Sequence, residues 1–282
     1  MVDKENNTEM TMVKEFTFYY GMGRILLAAK SFYLNRSKNN YKRLSVTFIL
    51  ACNEPFTLET GDGTRLTTRA VLIAPNVERS ILDAQNRDIL IFDIPIQSKQ
   101  YHKIVHLFDG KNLVEPSIEP FEEIIQEFDQ IYSGIVGSKE IIDIYERVVS
   151  LLSTSLSESI SSVNPSITNL DKRVEKVMQE LENTPLEQTS LETLAESVHL
   201  SPSRLRHLFK HELGCTISHY ARWINVWKAV ELWSMGKTFT DVAEVSGFYD
   251  IAHLSRAFID IFGLSPSDFL KSKGIKFIKI ST

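Results

Sequence analysis

One pattern occurs twice in the last third of the chain, and it constrains the fold more than any other feature. "TLAESVHLSPSRLRHLFKHELG" (Thr193–Gly214) and "DVAEVSGFYDIAHLSRAFIDIFG" (Asp241–Gly263) keep nearly the same spacing. Ala195-Glu196 matches Ala243-Glu244, Leu205 matches Leu254, Phe209 matches Phe258, and Gly214 matches Gly263. The register slips by one residue inside the repeat, so the second copy needs the longer turn. A repeat of this length is one unit of supersecondary structure: a short helix, a tight turn and a second helix. The small Ala195 and Ala243 let the paired helices approach closely. Leu205 with Leu208, and Leu254 with Ala257, would fill the corners, and Gly247 suits a turn position of positive φ. In a helix-turn-helix of this layout the second helix is the one that enters a major groove.

The stretch "SPSRLRHLFKHELG" spells out the first of these second helices. Ser201 can cap it, Pro202 suits its first position and Gly214 its end. Leu205, Leu208, Phe209 and Leu213 fall on one apolar face. The opposite face carries Arg204, Arg206, His207, Lys210 and His211, with no acid before Glu212. Bulk composition does not announce such a face, because the 282-residue chain has a formal net charge of -5. From Ile167 onward there are 14 basic and 14 acidic residues, with five of the seven histidines. A nucleic-acid surface here must therefore come from local sorting of charge. One hairpin alone would fit a plain helical bundle. Two copies, each opening its second helix with basic or polar groups, favour DNA.

The front of the chain is built differently. "RLSVTFILAC", "FTLET", "TRLTTRAVLIAP" and "DILIFDIPI" are short, rich in β-branched and aromatic residues, and separated by turn signals. Between Phe16 and Ile96 this predicts a small barrel or sandwich. Two helical stripes follow: Ile118, Phe121, Ile124, Ile125, Phe128 and Ile131, then Ile141, Ile142, Tyr145, Val148, Val149 and Leu152. They could pack on the barrel, or one could cross to a second subunit. The serine-rich "STSLSESISSVNPS" (Ser153–Ser166) reads as a linker with a helical start. The expected fold class is α+β: a β-barrel or sandwich with flanking helices over 1–152, whose barrel-then-helices order resembles a cupin-like domain, a linker over 153–166, and an all-α domain with two helix-turn-helix units over 167–282.

Several classes of function are disfavoured. The N-terminus lacks a signal-peptide core, and no apolar run reaches the roughly 18 residues of a membrane helix, which points to a soluble, cytoplasmic protein. Cys52 and Cys215 lie far apart and read as reduced, buried thiols. A metal-dependent barrel enzyme needs histidines on its strands, and none precedes His102. His102 and His106 stand four apart without the HExxH glutamate. No phosphate-cradling glycine loop or nucleophile set is present, so neither a cofactor nor an enzymatic activity is expected. Arg24, Arg43 and Arg65 could face a ligand in the barrel and equally could sit on its surface.

Over about Leu170–Phe269 the sequence resembles the AraC/XylS family of bacterial transcription regulators. The resemblance rests on "LAESVHLSPSRLRHLFKHELG", "SHYARWINVWKAVELW" and "DVAEVSGFYDIAHLSRAFIDIFGLSPSDF". It implies two helix-turn-helix units joined by one long helix, reading successive major-groove segments of double-stranded DNA. It implies base-facing roles for Ser203, Arg206 and His207, with Arg204 and Lys210 better placed for phosphates. In the second unit the matching positions are Ile251, Ala252, Ser255 and Arg256. Activation through RNA polymerase, control by a small-molecule effector or partner at the front domain, and a homodimer are further expectations. The chain departs from the family pattern at Asn225, at the pair Trp223 and Trp227, and at Ile259-Asp260-Ile261. The two tryptophans either complete the local core or form an outward aromatic patch. Asp250 and Asp260 weaken the second unit as a DNA reader. The competing reading is a regulator that binds protein and carries a degenerate DNA face.

Overall fold

The computed structural model describes residues 10–13, 15–21, 23–36, 39–157, 170–184, 189–271 and 274–281. The chain divides into two compact units, residues 1–165 with 262–282, and residues 166–261.

The first unit holds the strands β1 (Met10–Val13), β2 (Phe16–Gly21), β3 (Arg24–Ala29), β4 (Phe32–Asn35), β5 (Ser45–Ala51), β6 (Phe56–Thr60), β7 (Arg65–Thr68), β8 (Ala70–Ile73), β9 (Arg79–Ala84), β10 (Ile89–Pro95), β11 (Leu113–Val114) and β12 (Lys276–Lys279). They form a five-stranded sheet in the order β1-β4-β9-β6-β7 and a seven-stranded sheet in the order β11-β8-β5-β10-β3-β2-β12. The α-helices among the described residues are α1 (Tyr101–Ile104), α2 (Glu122–Gln126), α3 (Phe128–Ser133), α4 (Ser138–Ser157), α5 (Lys172–Asn183), α6 (Leu191–Ser197), α7 (Pro202–Leu213), α8 (Ile217–Ser234), α9 (Phe239–Val245), α10 (Ile251–Phe262) and α11 (Pro266–Lys271). The expected barrel or sandwich is a two-sheet sandwich with helices on one side.

Strand periodicity explains how the layers stack. Every residue of β5 and β10 is buried, so both faces of the central strands are covered. On one face Phe48 packs its ring 4.9 Å from Phe121, and Phe92 packs 6.0 Å from Tyr145 of α4. The stripe Ile141, Tyr145, Val148, Val149 and Leu152 is buried there, which settles its packing within the chain. The Ile118–Ile131 stripe is also turned inward at Phe121, Ile124, Phe128 and Ile131. Its backbone is interrupted, running as a short 3-10 turn at Glu119–Phe121 and then as α2 and α3.

The opposite face of β5 and β10 carries polar groups. Asp93 accepts hydrogen bonds from Ser45 at 3.0 Å, from Thr47 at 2.6 Å and from the Arg43 guanidinium. Arg79, from the five-stranded sheet, donates to Thr47 Oγ1 at 2.9 Å. Arg43, Arg79 and Asp93 are each less than a tenth exposed. Burial, with Arg43 alongside, pulls the Arg79 guanidinium down to about 10. Of the three arginines singled out from the sequence, Arg43 is therefore a core residue, Arg24 pairs with Glu146 at 2.5 Å, and Arg65 is exposed.

Residues 262–282, which lie inside the expected domain 167–282, group with the first unit. Aromatic packing accounts for this. The Phe269 ring lies 5.4 Å from Phe16 and 5.5 Å from Phe18 and Phe277. β12 then adds in parallel to β2, pairing Phe277 with Phe18. Gly263, at φ 77°, sits so close to Leu34 that a Cβ would come within 2.6 Å of it. Of the expected linker 153–166, residues 153–157 continue α4 and 158–166 lie outside the described residues.

Candidate nucleic-acid interface

The second unit contains the repeat as two helix-turn-helix hairpins. α6 and α9 are each seven residues long, and α7 and α10 are each twelve. The turns share their hydrogen bonds. His199 N–H donates to Glu196 O and Leu200 N–H to Ala195 O. In the second copy Gly247 N–H donates to Glu244 O and Phe248 N–H to Ala243 O. The positive φ expected of Gly247 is present at 76°, and His199 adopts the same conformation at 55° in the first copy. Leu205 and Leu254, like Phe209 and Phe258, are fully buried at the corners.

The caps locate the one-residue slip. Ser201 Oγ accepts from the Arg204 N–H at 3.3 Å, and the Asp250 carboxylate accepts from the His253 N–H at 2.6 Å. Ser201 therefore corresponds to Asp250, and the inserted residue is Tyr249, which is 94% exposed. Sequence pattern located the longer turn but could not say which residue it expels.

The outward face of α7 is cationic and unneutralised. Ser203, Arg204, Arg206, His207 and Lys210 are exposed. Among the described residues no ion pair engages Arg204, Arg206 or Lys210. Cations held in water without partners are available to phosphates and to guanine edges at little cost in lost contacts. On α10, Ile251, Ala252 and Arg256 are exposed and Ser255 is half-buried. Asp260 is not simply a repelling charge, because Arg222 of α8 lies 3.8 Å from it.

α8 holds the two hairpins in one body. Its cap is Thr216, which accepts from the His219 N–H at 3.1 Å. Trp223 is fully buried and meets the half-buried Trp227 edge to face at 5.6 Å. Trp223 thus completes the core. Tyr220 donates to Glu182 of α5 at 2.7 Å, and burial, with that carboxylate beside it, pushes the phenol far above its ordinary range. Cys215, next to the Gly214 stop, is a free buried thiol pushed up to about 12 by burial. Cys52 is free and only partly buried.

The hairpins face a common groove of about 790 Å³. Ser203, Arg206, His207 and Lys210 line it from the first unit, and Phe248 and His253 from the second. Asn225, 3% exposed, and Arg222 reach it from α8. The structure therefore gathers the base-facing candidates of α7 with the leading turn of α10. Arg222, Asn225 and His253 were not among the residues the sequence marked for the site. Their one visible signal was the departure from family pattern at Asn225.

A family of helix-turn-helix domains matches residues 194–272. The transcriptional activator RhaR of Pectobacterium atrosepticum is 38% identical over 79 residues, 28% of each chain. The arabinose operon regulatory protein of Escherichia coli K12 is 27% identical over 147 residues, 50% of each chain. The chain thus spans about half or less of the curated relatives it matches. Apo ToxT from Vibrio cholerae superposes with a TM-score of 0.61 at 13% identity, over 89% of this chain and 98% of that one. ToxT with an unsaturated fatty acid bound gives 0.58 at 14%, over 89% and 95%. At such identities the two ToxT structures speak for the fold. Residues 194–272 are a helix-turn-helix domain similar to parts of RhaR and of the arabinose operon regulatory protein, and the chain shares the fold of ToxT.

Proposed function

We propose that this chain is a bacterial transcription regulator that binds promoter DNA sequence-specifically through its two helix-turn-helix units. The observation that carries the reading is the outward face of α7, where Arg204, Arg206 and Lys210 stand exposed with no carboxylate partner among the described residues. Arg206 and His207 border the groove and read bases; Arg204 and Lys210 hold phosphates; Arg256 anchors the second unit. Like RhaR, whose name describes an activator, the protein activates transcription by contact with RNA polymerase, and it works in the cytoplasm, as a homodimer or alone. The test is footprinting of the purified protein on its own genomic fragments, followed by a salt titration. Phosphate binding predicts a steep linear fall of log affinity with log salt. Weak binding with no salt dependence would refute it.

The first unit of the chain is the sensor in this proposal. Between its sheets Arg43 and Arg79 face a single carboxylate, Asp93, and the Nε atoms of both arginines lack an acceptor among the described residues. That surplus positive charge suits an anionic effector, in keeping with the fatty acid bound to ToxT. The reading predicts that a long-chain carboxylate raises the thermal midpoint while the matching alcohol does not. A ligand-stabilised arrangement would then alter DNA affinity by population shift. The net-zero charge of the back half supports a second reading, a regulator that binds protein through a degenerate DNA face. A flat salt titration would favour it.

A further inference from the structure

The second hairpin turns hydrocarbon outward where the first turns nitrogen and oxygen. Ile251 is 44% exposed, Tyr249 94% and Val245 69%, and Ala252 is exposed beside Ile251. Single exposed apolar side chains are ordinary, but these four fall within eight consecutive residues around one turn. Two polar groups nearby have neighbours within the hairpin. Asp250 spends its carboxylate on the cap of α10, and the His253 ring lies edge-on to Phe248 at 5.2 Å. By the shared caps, Ala252 stands where α7 has Ser203, and Ser255 where α7 has Arg206. The leading turn of α10 therefore has no side chain able to make paired hydrogen bonds to a base edge.

One base feature in the major groove rewards contact with hydrocarbon, the C5 methyl of thymine. Taking the DNA reading above as its basis, we propose that Ile251 and Ala252 are specificity-determining residues that read thymine methyl groups. The half-site under α10 is then recognised by its thymines, while the half-site under α7 is recognised by hydrogen bonding. Two observations commit the patch to duplex DNA. The leading turn of α10 borders, through His253, which lies directly after Ile251 and Ala252, the groove that Arg206 and His207 line. Arg256, exposed one turn further along α10, offers a cation to a phosphate beside the patch.

Replacing thymine by deoxyuridine tests this, since it removes the methyl and leaves base pairing intact. The full-length protein first selects its preferred duplex from a random library. That duplex is then made with deoxyuridine in one half-site at a time, and affinity is measured by fluorescence anisotropy. Burial of one methyl-sized group predicts about a fourfold loss per contacted methyl. The loss should be confined to one half-site. Ile251→Ala should shrink it to less than about twofold, because it withdraws most of that contact. Arg206→Ala should weaken binding overall and keep the loss. Both side chains are exposed, so neither change threatens folding, and a thermal midpoint checks this. Equal affinity for the thymine and deoxyuridine duplexes would overturn the proposal and leave the patch to a protein partner. A loss that persists in Ile251→Ala would overturn the assignment to this residue. Failure to enrich any duplex would remove the DNA reading itself.

Discussion

The two helix-turn-helix hairpins are the same structure with different surfaces. Helix lengths, turn hydrogen bonds, corner leucines and corner phenylalanines coincide. Even the left-handed turn residue is shared, though one copy uses Gly247 and the other His199. Histidine is one of the few side chains that tolerates that conformation. Outward, the agreement ends: α7 offers Arg204, Arg206, His207 and Lys210, and α10 offers Ile251, Ala252 and a single arginine. The inward positions fix the corner, and the outward ones are free to take any chemistry a duplex can answer. An internal repeat thus predicts shared geometry and says little about shared recognition.

The strongest blow to this comparison would fall on the corners. Leu205→Ala and Leu254→Ala each remove a fully buried side chain and should each cost about 2–5 kcal/mol. Urea unfolding of the intact chain, followed by helical circular dichroism, measures both. Similar losses would sharpen the claim that the corners are equivalent. A loss below about 1 kcal/mol at Leu254 would break it, since that is less than ordinary cavity creation costs.

The next effect separates the surfaces. Arg206→Ala should weaken binding to the selected duplex by roughly 10- to 100-fold, the loss expected of a paired contact to guanine. Arg256→Ala should cost less, because the second unit relies on methyl contact and shape. A larger loss at Arg256 would reverse the ranking of the two units. Lys210→Ala should act on all sequences alike and reduce the slope of log affinity against log salt by about one. An unchanged slope would move Lys210 off the phosphates.

Much of this was legible in the sequence, for physical reasons that vary by residue. The helices of the repeat were readable because Ser201, Pro202, Gly214 and Gly247 have local conformational preferences, and the leucines fall at a period of 3.6. Exposure of the cationic face followed from the same periodicity. What depended on distant chain was not readable. Nothing local to Phe269 or Phe277 says that their rings belong with Phe16 and Phe18, more than two hundred residues away, and so the grouping of residues 262–282 with the first unit was not readable. Arg43 was open between the barrel interior and the surface until the pairing of β5 with β10 set Asp93 beside it. Tyr249 was hidden for a subtler reason. An alignment shows that a turn is longer, but only the caps reveal which residue has left the helical frame.

The smallest effect tests whether the second unit approaches DNA at all. Asp250 sits at the cap of α10, a carboxylate at the edge of the face proposed to meet phosphates. Asparagine caps as well as aspartate, so Asp250→Asn should leave stability nearly unchanged while deleting one negative charge. At roughly 10 Å from a phosphate in water, that charge is worth about a two- to threefold gain in affinity at low salt, and the gain should fade as salt shortens the screening length. The reciprocal change, Ser201→Asp, places the same carboxylate at the equivalent cap of α7 and should lower affinity by a similar factor. If both respond, both helices lie near the duplex, and the difference between them is one of chemistry alone. If only Ser201→Asp responds, α10 stands away from the DNA, and its hydrocarbon patch has some other occupant.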